Sequence, residues 1–217
     1  GVGREDGKEG GEYSPVFYKK DRYKLLDSGT FWLSETPDKP GKGWDAECVR
    51  VCSWGHFKDV KTKHTFYFFN THMDHIGIVA RREGAKLILQ KMKECMKKND
   101  PVILTGDFNV DQNSEAYQIF VNAGFLKDSY EAAQYRLIPN GTFQDFNTEY
   151  FTNGRIDHIF VSNSLKVERY GILTDSYWSK VDNAKAVKAD AAPKEIDFKE
   201  YKRRNPSDHY PVFAKLN

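Results

Sequence analysis

The clearest periodic signal in the chain is helical and runs from Val79 to Lys98. Ala80, Gly84, Leu87, Ile88, Lys91, Met92, Cys95 and Met96 recur at the i, i+3, i+4, i+7 spacing, with Lys and Glu on the other side. Strand patterns surround it. Tyr13 to Lys19 and Tyr23 to Leu26 read as strands. Glu47 to Phe57 alternates, and Lys58 to Lys63 turns into the β-prone run Thr65 to Phe69, which together predict a hairpin. Pro101 to Thr105 is short and apolar, as a buried strand would be. A second helix is expected over Ser114 to Ala123 with Ser114 as its cap, and Arg155 to Ser162 and Tyr210 to Leu216 complete the strands. Gly1 to Gly11 and Ser34 to Gly43 are rich in turn-forming residues and read as loops. Helices mixed with hairpin-like strands favour an α/β sandwich over a doubly wound parallel sheet. Residues 179–205 stand apart as a polar, lysine- and alanine-rich insertion. The bland reading is a solvated surface excursion with one helical turn; the functional one is a flap over a cleft.

Composition narrows the class. The 217 residues suit one sizeable domain, 39% hydrophobic and 14% aromatic, with no apolar run long enough to cross a bilayer and no apolar leader at Gly1. The balance of 33 basic and 31 acidic residues leaves a net charge of +2, which neither demands nor excludes a nucleic-acid partner. Cys48 and Cys52 would lie roughly 13 Å apart in a strand, too far for a disulfide. The compartment stays open.

The unusual polar residues gather in four short clusters, each following or interrupting a strand: Asn70-Thr71-His72-Met73-Asp74-His75, Gly106-Asp107-Phe108-Asn109, Gly154-Arg155-Ile156-Asp157-His158, and Ser207-Asp208-His209. Four of the 6 histidines lie in them. In an extended segment Asn70, His72 and Asp74 share a face, as do Asp107 and Asn109. A carboxylate beside an amide can accept a proton from water and donate to a phosphoryl oxygen. Asp208 cannot orient its own neighbour His209, so Asp157 is the natural partner for that imidazole. Asp208 is then free for a metal, and oxygen ligation suits Mg²⁺ or Mn²⁺ better than zinc.

Asn70-Thr71-His72, Thr105-Gly106-Asp107-Phe108-Asn109, Arg155-Ile156-Asp157-His158-Ile159-Phe160 and Pro206-Ser207-Asp208-His209 resemble four successive motifs of the endonuclease/exonuclease/phosphatase (DNase-I-like) superfamily. Phe31 to Pro37 and Gly43 to Ala46 resemble a bacterial branch whose members are mostly of unassigned substrate. More distantly the chain is similar to deadenylases of the nocturnin type. The resemblance implies a four-layer α/β sandwich of two packed mixed sheets flanked by helices. It implies that Asp107 activates the water, that Asn109, His72 and His209 stabilise the phosphoryl transition state, and that Asp157 pairs with His209. It places Asp208 at the metal, and Arg50 and Asn70 against the substrate. The family's first strand–helix–strand unit, with its asparagine and metal-binding glutamate, is expected upstream of Gly1, and Glu12 does not stand in that glutamate's position. A domain lacking that unit is expected to self-associate through an exposed sheet edge. The expected activity is metal-dependent phosphoester hydrolysis of the phosphodiesterase or nuclease type, on a nucleic acid or nucleotide. The alternatives are a phosphatase on a small phosphorylated compound or lipid headgroup, and a non-catalytic module that keeps the fold.

Overall fold

A computed structural model describes residues 1–96, 100–138, 140–183, 186–187 and 189–217. In chain order the elements are β1 (Tyr23–Trp32), β2 (Val51–Asp59), β3 (Thr65–His72), α1 (Ile78–Cys95), β4 (Val102–Asp107), α2 (Glu115–Val121), β5 (Leu126–Asp128), α3 (Ser129–Ala132), β6 (Tyr135–Leu137), β7 (Asp157–Ser162), β8 (Val167–Ile172), β9 (Tyr177–Lys180), β10 (Ala186–Val187), β11 (Phe198–Lys199), β12 (Tyr201–Arg204) and β13 (Val212–Leu216). A 6-stranded sheet runs β1-β2-β3-β4-β7-β5, and a 3-stranded sheet runs β13-β8-β6. Both are mixed: β3 and β4 pair parallel, as do β6 and β8, and the other pairings are antiparallel.

The expected α/β sandwich is present. One face of the large sheet carries Cys52, Tyr67, Phe69, Leu104 and Phe160, which pack with Ala85, Ile88, Leu89 and Met92 of α1 and with Ala116, Tyr117 and Phe120 of α2. On the other face Ile159 and Val161 meet Val167, Val212, Ala214 and Leu216 of the small sheet. The alternation of β3 follows from this: Tyr67, Phe69 and Thr71 are buried on the helix side, while Phe66, Phe68, Asn70 and His72 look the other way.

Both long helices are capped, by different means. Ser114 caps α2 as the sequence predicts, accepting from Tyr117 N at 3.1 Å. The N-cap of α1, Gly77, has no side chain, and Asp45 reaches in from the connection between β1 and β2 instead, accepting from Ala80 N at 2.7 Å and Val79 N at 3.2 Å. The described part of α1 ends at Cys95, and residues 97–98 of the expected helix lie outside the described residues.

Three expectations need correction. Tyr13 to Lys19 joins no sheet. Pro15 has no N–H to give a ladder, and the segment crosses the open face of the large sheet, held by Asn70 Nδ2 donating to Pro15 O at 2.9 Å and Ser14 Oγ donating to Val51 O at 3.4 Å. The second alternating strand begins at Val51, so Cys48 and Arg50 precede it, and all 3 cysteines are free. The excursion expected over residues 179–205 begins earlier and carries two short strand pairs: β9 pairs antiparallel with β12, and β10 with β11, forming a ribbon that leaves from β8 and returns just before Asp208. No helix occurs among its described residues, while 184, 185 and 188 lie outside them. None of the described helices is long and apolar enough to cross a membrane.

Candidate active site

Sheet register brings the polar clusters together. His72 is the last residue of β3 and pairs with Asp107, the last of β4; Asp107 pairs in turn with Asp157, the first of β7. The three therefore form one row across three strands, on the face away from the helices. Gly106 permits the approach. Its φ is +152°, and a Cβ there would lie 2.0 Å from Thr71 O.

Around this row two imidazoles converge on one carboxylate. His72 Nε2 lies 3.3 Å and His209 Nε2 3.8 Å from Asp107 Oδ2. Each ring turns its other nitrogen to an outer carboxylate: His209 Nδ1 meets Asp157 Oδ2 at 2.8 Å, and His72 Nδ1 meets Glu12 Oε2 at 3.5 Å. Glu12 in turn is ion-paired with Arg4. The remaining oxygen of Asp107 accepts from Asn109 N at 2.8 Å.

Electrostatics separates the roles. Burial, then the charge of Asp157, pushes Asp107 up to about 6. Burial, then the positive charges of Arg50 and Arg4, pushes His72 down to about 3, against the pull of the carboxylates at its two nitrogens. For His209 burial acts downward, but the hydrogen bond and charge of Asp157 outweigh it, and its pKa is raised. One imidazole is thus held neutral and the other favours its cation. The carboxyls of Asp107 and of Asp208, which lies beside His209, are oxygen donors of the kind a hard divalent cation takes.

The other expected residues sort as follows. Asn109 lies beside the row at φ 49°, and its Nδ2 donates to Met73 O at 2.9 Å, leaving one amide N–H and the carbonyl oxygen. Asp208 accepts a weak bond from Ser207 Oγ at 3.3 Å, and its backbone oxygen takes Gln144 N at 2.9 Å. Asn70, expected at the substrate, instead has both ends engaged: Nδ2 holds Pro15 O, and Oδ1 accepts from Thr105 Oγ1 at 2.9 Å. It ties the crossing segment to the sheet. Arg50 is only 4% exposed. Its Nη2 meets His75 Nδ1 at 3.1 Å, its Nε reaches Asp74 Oδ2 only at 3.5 Å, and its Nη1 has no hydrogen-bond partner among the described residues.

Two residues of the motifs are structural. His158 points to the helix side and bonds Val110 O at 2.9 Å, and Arg155 is buried between Asp128 and Glu131, each at 3.3 Å. Asp74 does not join the row either. It accepts from Gly77 N, Ile76 N and Cys48 N where the chain turns into α1. With Cys48 and His75 it forms the one described cluster with metal-like spacing. Its carboxylate is already filled by those N–H groups, and the Arg50 cation stands against it.

Sequence reasoning missed five contributors. Glu12 and Arg4 sit in and beside the glycine-rich opening, whose chain folds back so tightly that a Cβ on Gly3 would lie 2.3 Å from Gly10 O. That glycine density was the available signal. Thr142 is fully buried, and its Oγ1 accepts from Ile156 N at 3.0 Å and Asp157 N at 3.1 Å. Gln144 donates to Ser207 O, and Phe143 packs edge-on against the His209 ring at 5.0 Å. The loop after β6 thereby clamps the segment that carries His209.

The family model described as the endonuclease/exonuclease/phosphatase family matches residues 16–209. Among solved structures, a mannosyl-6-phosphatase of Bacteroides thetaiotaomicron is 52% identical over 100% of this chain and 75% of its own, with a TM-score of 0.89. An endonuclease/exonuclease/phosphatase of Bacteroides vulgatus is 39% identical over 100% of this chain and 74% of its own, with a TM-score of 0.81. The human nocturnin catalytic domain is similar in fold, at 20% identity and TM-score 0.53, over 70% of this chain and 53% of its own. Among curated proteins none matches.

Proposed function

The chain belongs to the endonuclease/exonuclease/phosphatase family of phosphoester hydrolases, and on that premise we propose that it is a divalent-metal-dependent phosphomonoesterase acting on a phosphorylated sugar. The observation that carries this reading is the cationic side of the site. Arg50 is almost wholly buried and the Arg4 side chain is 14% exposed; Arg50 keeps Nε and Nη1, and Arg4 its Nε, without hydrogen-bond partners among the described residues, and both charges act on His72. Each faces one carboxylate, Glu12 for Arg4 and Asp74 for Arg50, and the N–H groups left open favour a further anion. A phosphomonoester dianion uses two such groups better than a diester, which carries one charge. The 52% identity to a protein described as a mannosyl-6-phosphatase points to the same substrate class.

In this reading Asp107 accepts the proton of the attacking water. His209, whose cation Asp157 favours, donates through Nε2 to a phosphoryl oxygen and stabilises the charge that grows there. Neutral His72 has one ring N–H, which as the Nε2–H tautomer gives one hydrogen bond from the opposite side, and the free N–H of Asn109 gives another. Asp208 and Asp107 would hold Mg²⁺ or Mn²⁺, which supplies positive charge against the phosphate and a more acidic water.

A panel with Mg²⁺ and with chelator tests the reading. A hexose 6-phosphate is expected to outpace bis-p-nitrophenyl phosphate and a single-stranded oligonucleotide by about 100-fold or more in kcat/KM, with loss of turnover in chelator; the reverse order overturns it. His209→Ala is expected to lower kcat on the order of 10²-fold with the fold intact by circular dichroism, and an unchanged kcat would remove His209 from the chemistry.

A further inference from the structure

The loop that clamps the His209 segment has a second character that the chemistry does not use. From Phe143 to Phe151 it reads Phe-Gln-Asp-Phe-Asn-Thr-Glu-Tyr-Phe, and three of its four aromatics are strongly exposed: Phe146 at 61%, Tyr150 at 60% and Phe151 at 74%. Exposed rings concentrated in one short loop mark a contact surface rather than core. The loop is also built rather than slack. Gln144 is buried, Asn147 N donates to Gln144 O at 2.8 Å, Glu149 N donates to Asn147 Oδ1 at 2.9 Å, and Gly141 N closes the base on Thr152 O at 2.6 Å. Asp145 and Phe146 stand at φ 52° and 56°, two successive non-glycine residues in the left-handed region. Such strain persists where surrounding structure enforces it, commonly beside ligands. Phe143 fixes the loop's position, because its ring rests on the imidazole of His209.

We infer that this loop is the subsite for the leaving group, and that the group it takes is a neutral hydroxyl-rich ring, a sugar, laid against Phe143 and Phe146. The charge pattern selects this occupant. In a chain with 33 Lys and Arg, none falls between Arg136 and Arg155, while Asp145 and Glu149 lie among the rings. A polyanion such as a nucleic acid strand would be repelled by that carboxylate pair and would find no cation within the loop itself. Carboxylates and amides beside aromatic faces instead match a pyranose, whose hydroxyls need acceptors and whose C–H face stacks on rings.

The inference rests on the phosphatase reading above, and the test separates the two. Wild type and Phe146→Ala are compared with Mg²⁺ on a hexose 6-phosphate and on glycerol 3-phosphate, which offers the same phosphate without a ring. Phe146→Ala is expected to lower the ratio of the two kcat/KM values about ten-fold, chiefly through KM for the hexose phosphate. In parallel, saturation-transfer NMR with free hexose is expected to show contact with wild type and none with Phe146→Ala, whose folding is checked by thermal melting. Wild-type turnover of both substrates with an unmoved ratio overturns the subsite and leaves the phosphatase reading standing. Turnover of neither substrate by wild type overturns the phosphatase reading, and the subsite is then judged on the free-hexose spectra alone. A loop that proves to cover itself with a second copy, seen as a dimer by sedimentation that Phe146→Ala abolishes, also overturns it.

Discussion

Asp107 is the residue on which the site's electrostatics turn, and its titration has a consequence for stability. A free aspartate ionises near 3.8, whereas here burial and Asp157 move the group up to about 6. Below the lower value the folded and unfolded chains both hold the proton. Between the two the folded chain binds it more tightly, so this group's contribution to stability is lost as pH rises through about 6. Asp107→Asn, which keeps the shape and the bond to Asn109 N, is therefore expected to make the metal-free protein more stable than wild type at neutral pH, by on the order of 1–3 kcal/mol, with the gain vanishing near pH 4. Urea denaturation across pH checks this; parallel curves for the two proteins would contradict it. Mg²⁺ is expected to raise the midpoint of wild type and leave that of the variant where it was. At this scale the sequence was informative where chemistry follows from residue type. Asp157 was legible as the partner of His209, and Asp107 as the central acid. The partners of Asn70 were not legible, because spacing along a strand gives the face of a side chain but not what already occupies that face.

Among the elements, α1 carries the clearest dependence on a distant residue. Its first turn has no acidic side chain and its N-cap is glycine, so Asp45 alone supplies the side-chain cap, from 35 residues away in sequence. Asp45→Ala is expected to lower the midpoint of chemical denaturation, while Asp45→Asn retains most of the wild-type value. An unchanged midpoint in Asp45→Ala would show that the loop, not the carboxylate, secures the helix. Long periodic elements such as α1, and the β2–β3 hairpin with its run of aromatics, could be read from pattern because burial on one side imposes a period. Short strands such as β5 and β6, and the ribbon of β9 and β12, could not. Their residues are exposed or three to four in number, and pairing across the sheet, not local preference, makes them strands.

For the whole molecule, the two faces of the large sheet are covered unequally. The helix side is closed, while on the other side the small sheet covers only the β7 end. Over β1 to β4 an apolar hollow of about 690 Å³ opens between Phe57, Phe66, Phe68 and Ile103 and the crossing segment, where Phe17 is 90% exposed. The edge itself is poorly suited to pairing, because β1 has a bulge between Leu25 and Asp27 and exposes Lys24 and Asp27. We therefore expect association through the face. Sedimentation is expected to show a concentration-dependent dimer that Phe17→Ser weakens at least several-fold; a monomer at all concentrations would refute this.

The row of His72, Asp107 and Asp157 occupies the final rung of three paired strands, held beyond it by Met73 N on Asp107 O and Phe108 N on Ile156 O. Ladder ends fray more readily than their middles. A ligand gripped by these three side chains would thus act as a clasp on the strand ends, and the amides of Met73 and Phe108 would exchange more slowly whenever the clasp is shut.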